Sequence, residues 1–293
     1  MKPDSEPPPS LPRRRFGQRI REARLAANLN LKDVAQVMQW SGPTQSRIEH
    51  GKLGTLKPRD VKLLCDAVGI SDTREVEALT SYLEEATAQP RKWWQQQYNE
   101  VIPEHLDVYV GLEFEATEIT IYRAELMPGL FQTRDYAAAI NQLFFPHDSE
   151  EQQRRRVDFK IQRQASLTRK VKPLKVTMVL DEAVVRRVVG GKRVMAAQLD
   201  HLAEMSKRPN ITIQVLPFEA GYPVGAATGA YTILSLVDAN PVVYAESFTS
   251  NIYLEEDADV AQYRSASVTI HRAALDAMAS RSLLRRAAKE LTT

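Results

Sequence analysis

The chain has 293 residues, 43% of them hydrophobic, with 39 Lys/Arg against 37 Asp/Glu and one cysteine, Cys65. That length supports a sizeable core and fits two domains better than one, while a lone cysteine excludes an internal disulfide framework and points to a reducing compartment. No run approaches the roughly 18 apolar residues of a membrane span, and the start MKPDSEPPPSLPRRR lacks an apolar signal core, so the expectation is a soluble, cytoplasmic chain with no membrane partner.

The near-neutral total hides an uneven distribution. Residues 1–70 hold 13 Lys/Arg and 7 Asp/Glu, and the remainder holds 26 and 30. A small basic head on a mildly acidic body suits a phosphate-binding head. Residues 1–15 read as a disordered basic arm, rich in proline and ending in Arg13, Arg14 and Arg15. Two readings of these arginines stay open: contact with a DNA backbone or minor groove, or a solubilising stub.

Phe16, Ile20 and Ala23 fall on one face of a first helix that stops near Asn28. Asn30 is placed as the N-cap of a second helix, with Asp33 three residues on completing a capping box. Ser41 caps a third helix, GPTQSRIEH, in which Pro43 lies in the first turn, where a missing N–H costs little. Gly51 stops it. A fourth helix follows over PRDVKLLCDAVG with Val61, Leu64, Cys65 and Val68 inward. The thiol reads as a buried core group. The pair 31–38 and 42–50 has helix-turn-helix spacing, and the second member of such a pair enters the major groove of duplex DNA.

The run from Phe16 to Lys52, and most specifically S46-R47-I48-E49-x-G51, resembles the lambda-repressor-type (XRE) helix-turn-helix domain over residues 16–70. The resemblance implies a DNA-binding head of four to five helices. It places Gly42, Pro43, Thr44, Ser46 and Arg47 at the base edges and Arg19 and Arg24 near the phosphates; Lys52, just past the third helix, is a further candidate backbone contact, as are Arg13, Arg14 and Arg15 on the DNA-contact reading above. It turns Glu49 back into the domain. The chain departs from the family at Gln45, where an apolar residue is usual. A glutamine there must find a hydrogen-bond partner or turn outward.

Residues 71–99 read as an amphipathic helical connector, with Val76, Leu79, Tyr82 and Leu83 on one face and Pro90 interrupting it. The Trp93–Trp94–Tyr98 cluster suits packing better than a ligand box. Residues 100–293 read as a mixed α/β regulatory, dimerisation or partner-binding domain. Strands are expected in PLKVTMVLD, NITIQVLPF, AYTILSLV, PVVYAE and NIYLE, and helices around 152–167, 182–190, 193–206, 255–279 and 280–291. The basic helix of 152–167 reads either as a solvated surface or as a further DNA contact.

The pieces LMPGLFQTRDYA, VLDEAVVRRVVGG, IQVLPFEAG and VYAE are similar to the uncharacterised C-terminal domain that follows a repressor-type head in many actinobacterial, antitoxin-like regulators. The resemblance implies a transcriptional regulator with a body that receives a protein or small-molecule signal; a homodimer is expected because one head offers few phosphate contacts and two heads on a two-fold axis meet paired half-sites. A small acidic protein is the partner it suggests. One alternative is an antitoxin-like interaction module in which DNA binding is autoregulation; the other is an enzyme with a DNA-targeting head. Against the enzyme, His50, His105, His147, His201 and His271 show no metal-ligand spacing. Asp181–Glu182 suits a helix cap, and Gly190–Gly191 lacks a phosphate-cradling context. Gly221–Gly225 reads as a connecting loop or a lid, and Glu246 as a strand end facing a pocket or an arginine. No cofactor is expected, and the effector is not readable.

Overall fold

A computed structural model describes residues 11–53, 56–88, 93–103, 106–236, 240–246 and 251–292, with the side chains of Leu11, Pro12, Arg14, Thr228 and residues 85–88 outside that description. The chain divides into two compact units, Met1–Gly111 and Leu112–Thr293.

The first unit is helical. Its elements are α1 (Leu11–Ala26), α2 (Leu31–Val37), α3 (Gly42–Glu49), α4 (Pro58–Ala67), α5 (Thr73–Ala88), α6 (Trp93–Tyr98) and α7 (Asp107–Glu115), the last running into the second unit. α1 is helical from the first described residue, Leu11, so Arg13 and Arg15 stand on helix rather than on an extended arm. Pro12 sits in the first turn, where its missing N–H leaves no helical bond unmade. Residues 1–10 of the expected arm lie outside the described residues.

The anticipated apolar faces converge. Phe16, Ile20, Val34, Ile48, Val61 and Leu64 are 0–1% exposed and form one core. Leu79 and Leu83 of α5 join that same core. Residues 73–88 are therefore part of the head and not a connector, because their apolar stripe closes over α1 and α4. Cys65 is fully buried among these side chains, and burial pushes its thiol up to about 11, so it behaves as an inert core group. Trp94 is also buried, and its indole N–H donates to Asp107 at 2.7 Å, the partner a sealed tryptophan requires.

The head helices end in one repeated way. After α1, α2, α3 and α4 the chain turns through a left-handed residue, respectively Asn28 (φ 59°), Gln39 (φ 56°), Gly51 (φ 78°) and Gly69 (φ 82°). Each time two backbone N–H groups return to the last turn: Asn28 to Leu25 O and Leu29 to Arg24 O, Gln39 to Gln36 O and Trp40 to Ala35 O, Gly51 to Ile48 O and Lys52 to Arg47 O, Gly69 to Asp66 O and Ile70 to Cys65 O. These are Schellman ends.

The second unit mixes α and β. Six strands, β1 (Glu118–Arg123), β2 (Lys175–Asp181), β3 (Ile211–Leu216), β4 (Tyr231–Ser235), β5 (Val242–Glu246) and β6 (Asn251–Leu254), form one sheet in the order β3-β2-β1-β4-β5-β6. β1 lies parallel to β2, and β2 to β3; β4, β5 and β6 add antiparallel strands on the other side of β1. Val176, Met178, Val179 and Leu180 are all buried, a run rather than an alternation, as expected for a strand covered on both faces. The helices are α8 (Arg134–Phe144), α9 (Glu150–Arg163), α10 (Ala165–Thr168), α11 (Glu182–Arg186), α12 (Lys192–Met205), α13 (Asp257–Ala273) and α14 (Ala277–Thr292). The edge of β3 is closed by the α13–α14 junction, where Leu275 N–H donates to Val215 O at 2.9 Å. Asp181 caps α11 through the Ala183 N–H, the ordinary role expected for it, and Glu246 is exposed.

Candidate nucleic-acid interface

The site is built around α3. Asn30 starts α2 by accepting from the N–H groups of Lys32 and Asp33, while Asp33 accepts from the Asn30 N–H at 2.7 Å. This is the capping box anticipated from the sequence. α2 stops at the left-handed Gln39, and Ser41 starts α3, its Oγ accepting from the Thr44 N–H at 3.2 Å. Two capped ends and one tight turn fix α3 against α2.

A buried polar chain holds the inner face of α3. Trp40 Nε1 donates to Gln45 Oε1 at 3.2 Å, and Gln45 Nε2 donates to Glu49 Oε1 at 2.8 Å. Glu49 also accepts from Arg24 Nε at 2.7 Å and from Arg24 Nη2 at 2.8 Å, and Arg24 Nη1 donates to Leu29 O. Gln45, Glu49 and Arg24 are all buried, and the hydrogen bond to Glu49 raises the Arg24 pKa. Gln45 thus finds partners instead of turning outward. Glu49 faces inward as the resemblance implied. Arg24, placed near the phosphates by that resemblance, is committed inside the domain. Its three described hydrogen bonds all go to protein, and its bidentate edge is taken by Glu49.

The outer face carries the remaining residues. Pro43 and Arg47 are exposed, and Gly42, Thr44 and Ser46 are half-buried. Thr44 Oγ1 lies 2.9 Å from Ser41 Oγ, so its hydroxyl is shared with the cap. Lys52, also exposed, follows Gly51 and returns its N–H to Arg47 O, which places it beside the last turn of α3. Arg19 is ion-paired with Glu75 of α5 and lies 3.9 Å from Glu22; the Glu75 hydrogen bond raises its pKa. Arg13 and Arg15 stand half-buried on the first turns of α1, and the Arg14 side chain is outside the described residues.

Two residues that sequence reasoning passed over matter here. Lys32, exposed at the start of α2, has its Cγ 4.0 Å from where a Cβ on Gly42 would stand, so it lies beside the tip of α3. Gly17 lets α1 approach the end of α3: a Cβ there would come within 2.5 Å of Ile48 O and 2.7 Å of Glu49 O. The capping geometry around Asn30 signals where Lys32 sits; nothing local signals Gly17.

Among the described residues no group of three or more His, Cys, Asp or Glu could hold a metal ion, and His105 lies outside them. No helix of the described residues is long and apolar enough to cross a membrane.

Comparison with known proteins agrees with this division. Residues 15–79 match a helix-turn-helix domain family, a DNA-binding module without catalytic groups of its own. Residues 106–286 match a domain of unknown function, DUF5753. No curated protein and no solved structure matches the chain. With well over half of its length covered by that model, the chain belongs to the DUF5753 family and carries a helix-turn-helix domain ahead of the family domain.

Proposed function

We propose that the protein is a sequence-specific DNA-binding transcriptional regulator of the XRE type. It acts as a homodimer, its α3 reads the major groove, and its C-terminal domain receives a protein or small-molecule signal. The observation that carries the reading is the division of labour on α3. Gln45, Ile48 and Glu49 are sealed inward, which leaves Arg47 as the long cationic side chain on the outer face. Arginine donates two hydrogen bonds to guanine O6 and N7, a contact that contributes about 1–3 kcal/mol of discrimination. Thr44 and Ser46 add short polar groups beside it, and Gly42 and Pro43 keep the tip narrow. Lys52 and Lys32 serve as phosphate contacts, with Arg13, Arg14 and Arg15 as further basic groups. Arg19 contributes charge only where Glu75 releases it, and Arg24 is assigned to structure. Two heads on a two-fold axis then meet half-sites one helical turn apart.

The test is fluorescence anisotropy on the full chain with an operator selected from random duplex. Arg47→Ala is expected to weaken the selected sequence more than random duplex and to relax one position in each half-site. Lys52→Ala is expected to weaken all sequences equally and to flatten the salt dependence. An Arg47→Ala chain that folds and keeps its full ratio of selected to random affinity overturns the reading of α3. Sedimentation showing a 33.1 kDa species alone, with DNA present, overturns the dimer.

A second reading, an antitoxin-like module that binds a small acidic protein, is favoured by one surface feature. Between β3 and β4, Phe218, Tyr222 and Val224 are 61%, 75% and 83% exposed. Three neighbouring exposed apolar side chains suit contact with a protein. Purification from native cells followed by mass spectrometry separates this reading from a metabolite sensor, and both are compatible with DNA binding by the head.

A further inference from the structure

α9 is a strongly charged helix, and its inward side carries three cations one turn apart. Arg156 is paired with Asp148 at 2.5 Å. Arg163 is buried and pairs bidentately with Glu113, Nε to Oε1 at 2.7 Å and Nη2 to Oε2 at 2.6 Å. Lys160 lies between them and is different. Its Nζ donates only to neutral groups, Asn141 Oδ1 at 2.8 Å and Gln132 Oε1 at 3.3 Å. Both of those residues are buried, Asn141 at 1% and Gln132 at 4% exposure. Burial and the flanking Arg163 and Arg156 push the Lys160 ammonium down to about 8.

The donors around this amine are not used up. An ammonium has three N–H bonds, of which two are engaged. Asn141 Nδ2 is sealed from solvent and has no hydrogen-bond partner. It is not a misassigned amide: exchanging its oxygen and nitrogen would set an N–H against the ammonium. Covalent geometry keeps Asn141 Nδ2 within about 5 Å of Lys160 Nζ, a gap that one acceptor group spans. With Asp148 and Glu113 satisfied by arginines, the cluster holds one uncompensated positive charge. Unused donors on Lys160 and Asn141 beside an unbalanced positive charge are the chemistry that recognises a monoanionic acceptor. A water molecule supplies two lone pairs and no charge, so it satisfies the donors and leaves the charge unbalanced. A carboxylate supplies both. Lys160 itself is half-buried, so the residue is not sealed from solvent.

The geometry points to a binding site for a small-molecule carboxylate at Lys160 and Asn141, between α8 and α9 and beside Gln132. The inference deepens the signal-receiving part of the reading above and is independent of DNA binding, so its test uses no DNA.

The experiment uses the full chain with sodium acetate as the probe, ionic strength held constant with chloride. Lys160 labelling by formaldehyde and borohydride is followed by mass spectrometry, and thermal unfolding is followed in parallel. Once acetate exceeds its Kd about fourfold, Lys160 labelling is expected to fall about fivefold while surface lysines are unchanged, and the unfolding temperature is expected to rise. Lys160→Met is expected to abolish the temperature response. Asn141→Asp places a carboxylate of the chain against Nζ, so it is expected to protect Lys160 without acetate and to remove the response. Equal behaviour in acetate and chloride means a water only and overturns the proposal. A response to phosphate with none to acetate overturns the carboxylate class. A response that persists in Asn141→Asp overturns the location, whether or not Lys160→Met folds.

Discussion

Among the described residues each unit buries a bidentate arginine–glutamate pair, and the two pairs are finished differently. In the head, Arg24 and Glu49 are joined by Gln45, Trp40 and the Leu29 carbonyl, so each charged group is answered by a described partner. In the body, Arg163 and Glu113 answer each other, yet the next cation on the same helix, Lys160, meets only amide oxygens. The head network is closed and positions a helix. The body network is open by one charge. A closed network is structural; an open one is where a ligand has something to add.

The largest expected effect comes from cutting either pair. Glu49→Ala and Glu113→Ala each leave a buried arginine uncompensated, which costs about 3–5 kcal/mol. Calorimetry is expected to resolve two transitions, with Glu49→Ala lowering only that of the head and Glu113→Ala only that of the body. The converse replacement, Arg24→Met with Glu49→Leu, is expected to cost far less than either single change, because no charge is left alone. A Glu49→Ala chain that unfolds like the parent removes the network from any account of α3.

Much of this organisation was readable from sequence. The caps at Asn30 and Ser41, the stop at Gly51, the inward Glu49 and the apolar face of α4 are local signals, carried by residues three or four apart. The strands β2 to β6 follow from short apolar runs bounded by turns. What sequence reading missed depends on distant partners. Arg24 looked like a phosphate contact because Glu49 lies 25 residues away. The basic 152–167 helix looked solvated or DNA-facing because Glu113, the partner of Arg163, precedes it by 50 residues. α5 looked like a connector because its apolar stripe fits a free amphipathic helix as well as one docked on Phe16 and Ile20. Gly17 drew no reading at all, because the backbone it lets approach, at Ile48 and Glu49, is more than 30 residues away.

That last residue gives the next effect in size. Gly17→Ala drives a methyl group into the backbone at the end of α3, where no side chain can rotate away. Overpacking of this kind costs about 1–3 kcal/mol. Because the displaced atoms belong to α3, DNA affinity is expected to fall by more than the stability loss alone explains. Comparing affinity and melting temperature of Gly17→Ala with those of a surface alanine substitution checks this.

The two units are also expected to respond to alkali in opposite directions. Cys65 in the head is held protonated, its pKa pushed up to about 11 from 9.0 by burial. Between those values the unfolded chain has lost the proton and the folded chain has not, so head stability falls as pH rises. Lys160 in the body is pushed down to about 8 from 10.5 by burial. There the unfolded chain keeps the proton that the folded chain gives up, so body stability rises from pH 8 to about 10, above which buried Tyr122, Tyr136 and Tyr231, all raised from 10.0 by burial, act the other way. Half-burial of the lysine holds the gain to about 2 kcal/mol or less. Cys65→Ala and Lys160→Met are each expected to flatten the slope of their own unit. Parallel slopes in the two parent transitions contradict the assignment.

The smallest effect concerns how the head ends its helices. All of α1 to α4 close through a left-handed residue, and two of these four are glycines. Asparagine at position 28 tolerates the conformation because its short amide bonds locally. Gln39 has no such excuse: it is exposed, unbranched and held at φ 56° in the turn between α2 and α3. Gly at this position relieves the Cβ clash with the following carbonyl, while it adds freedom to the unfolded chain. The two terms differ by about 0.5 kcal/mol in favour of glycine. Gln39→Gly is therefore expected to raise the head transition slightly and leave the body transition in place. Since the turn geometry is the same in both variants, affinity for DNA is expected to hold. If Gln39→Gly lowers affinity while raising stability, the glutamine side chain itself contacts DNA, and the interface extends from α3 back across the turn.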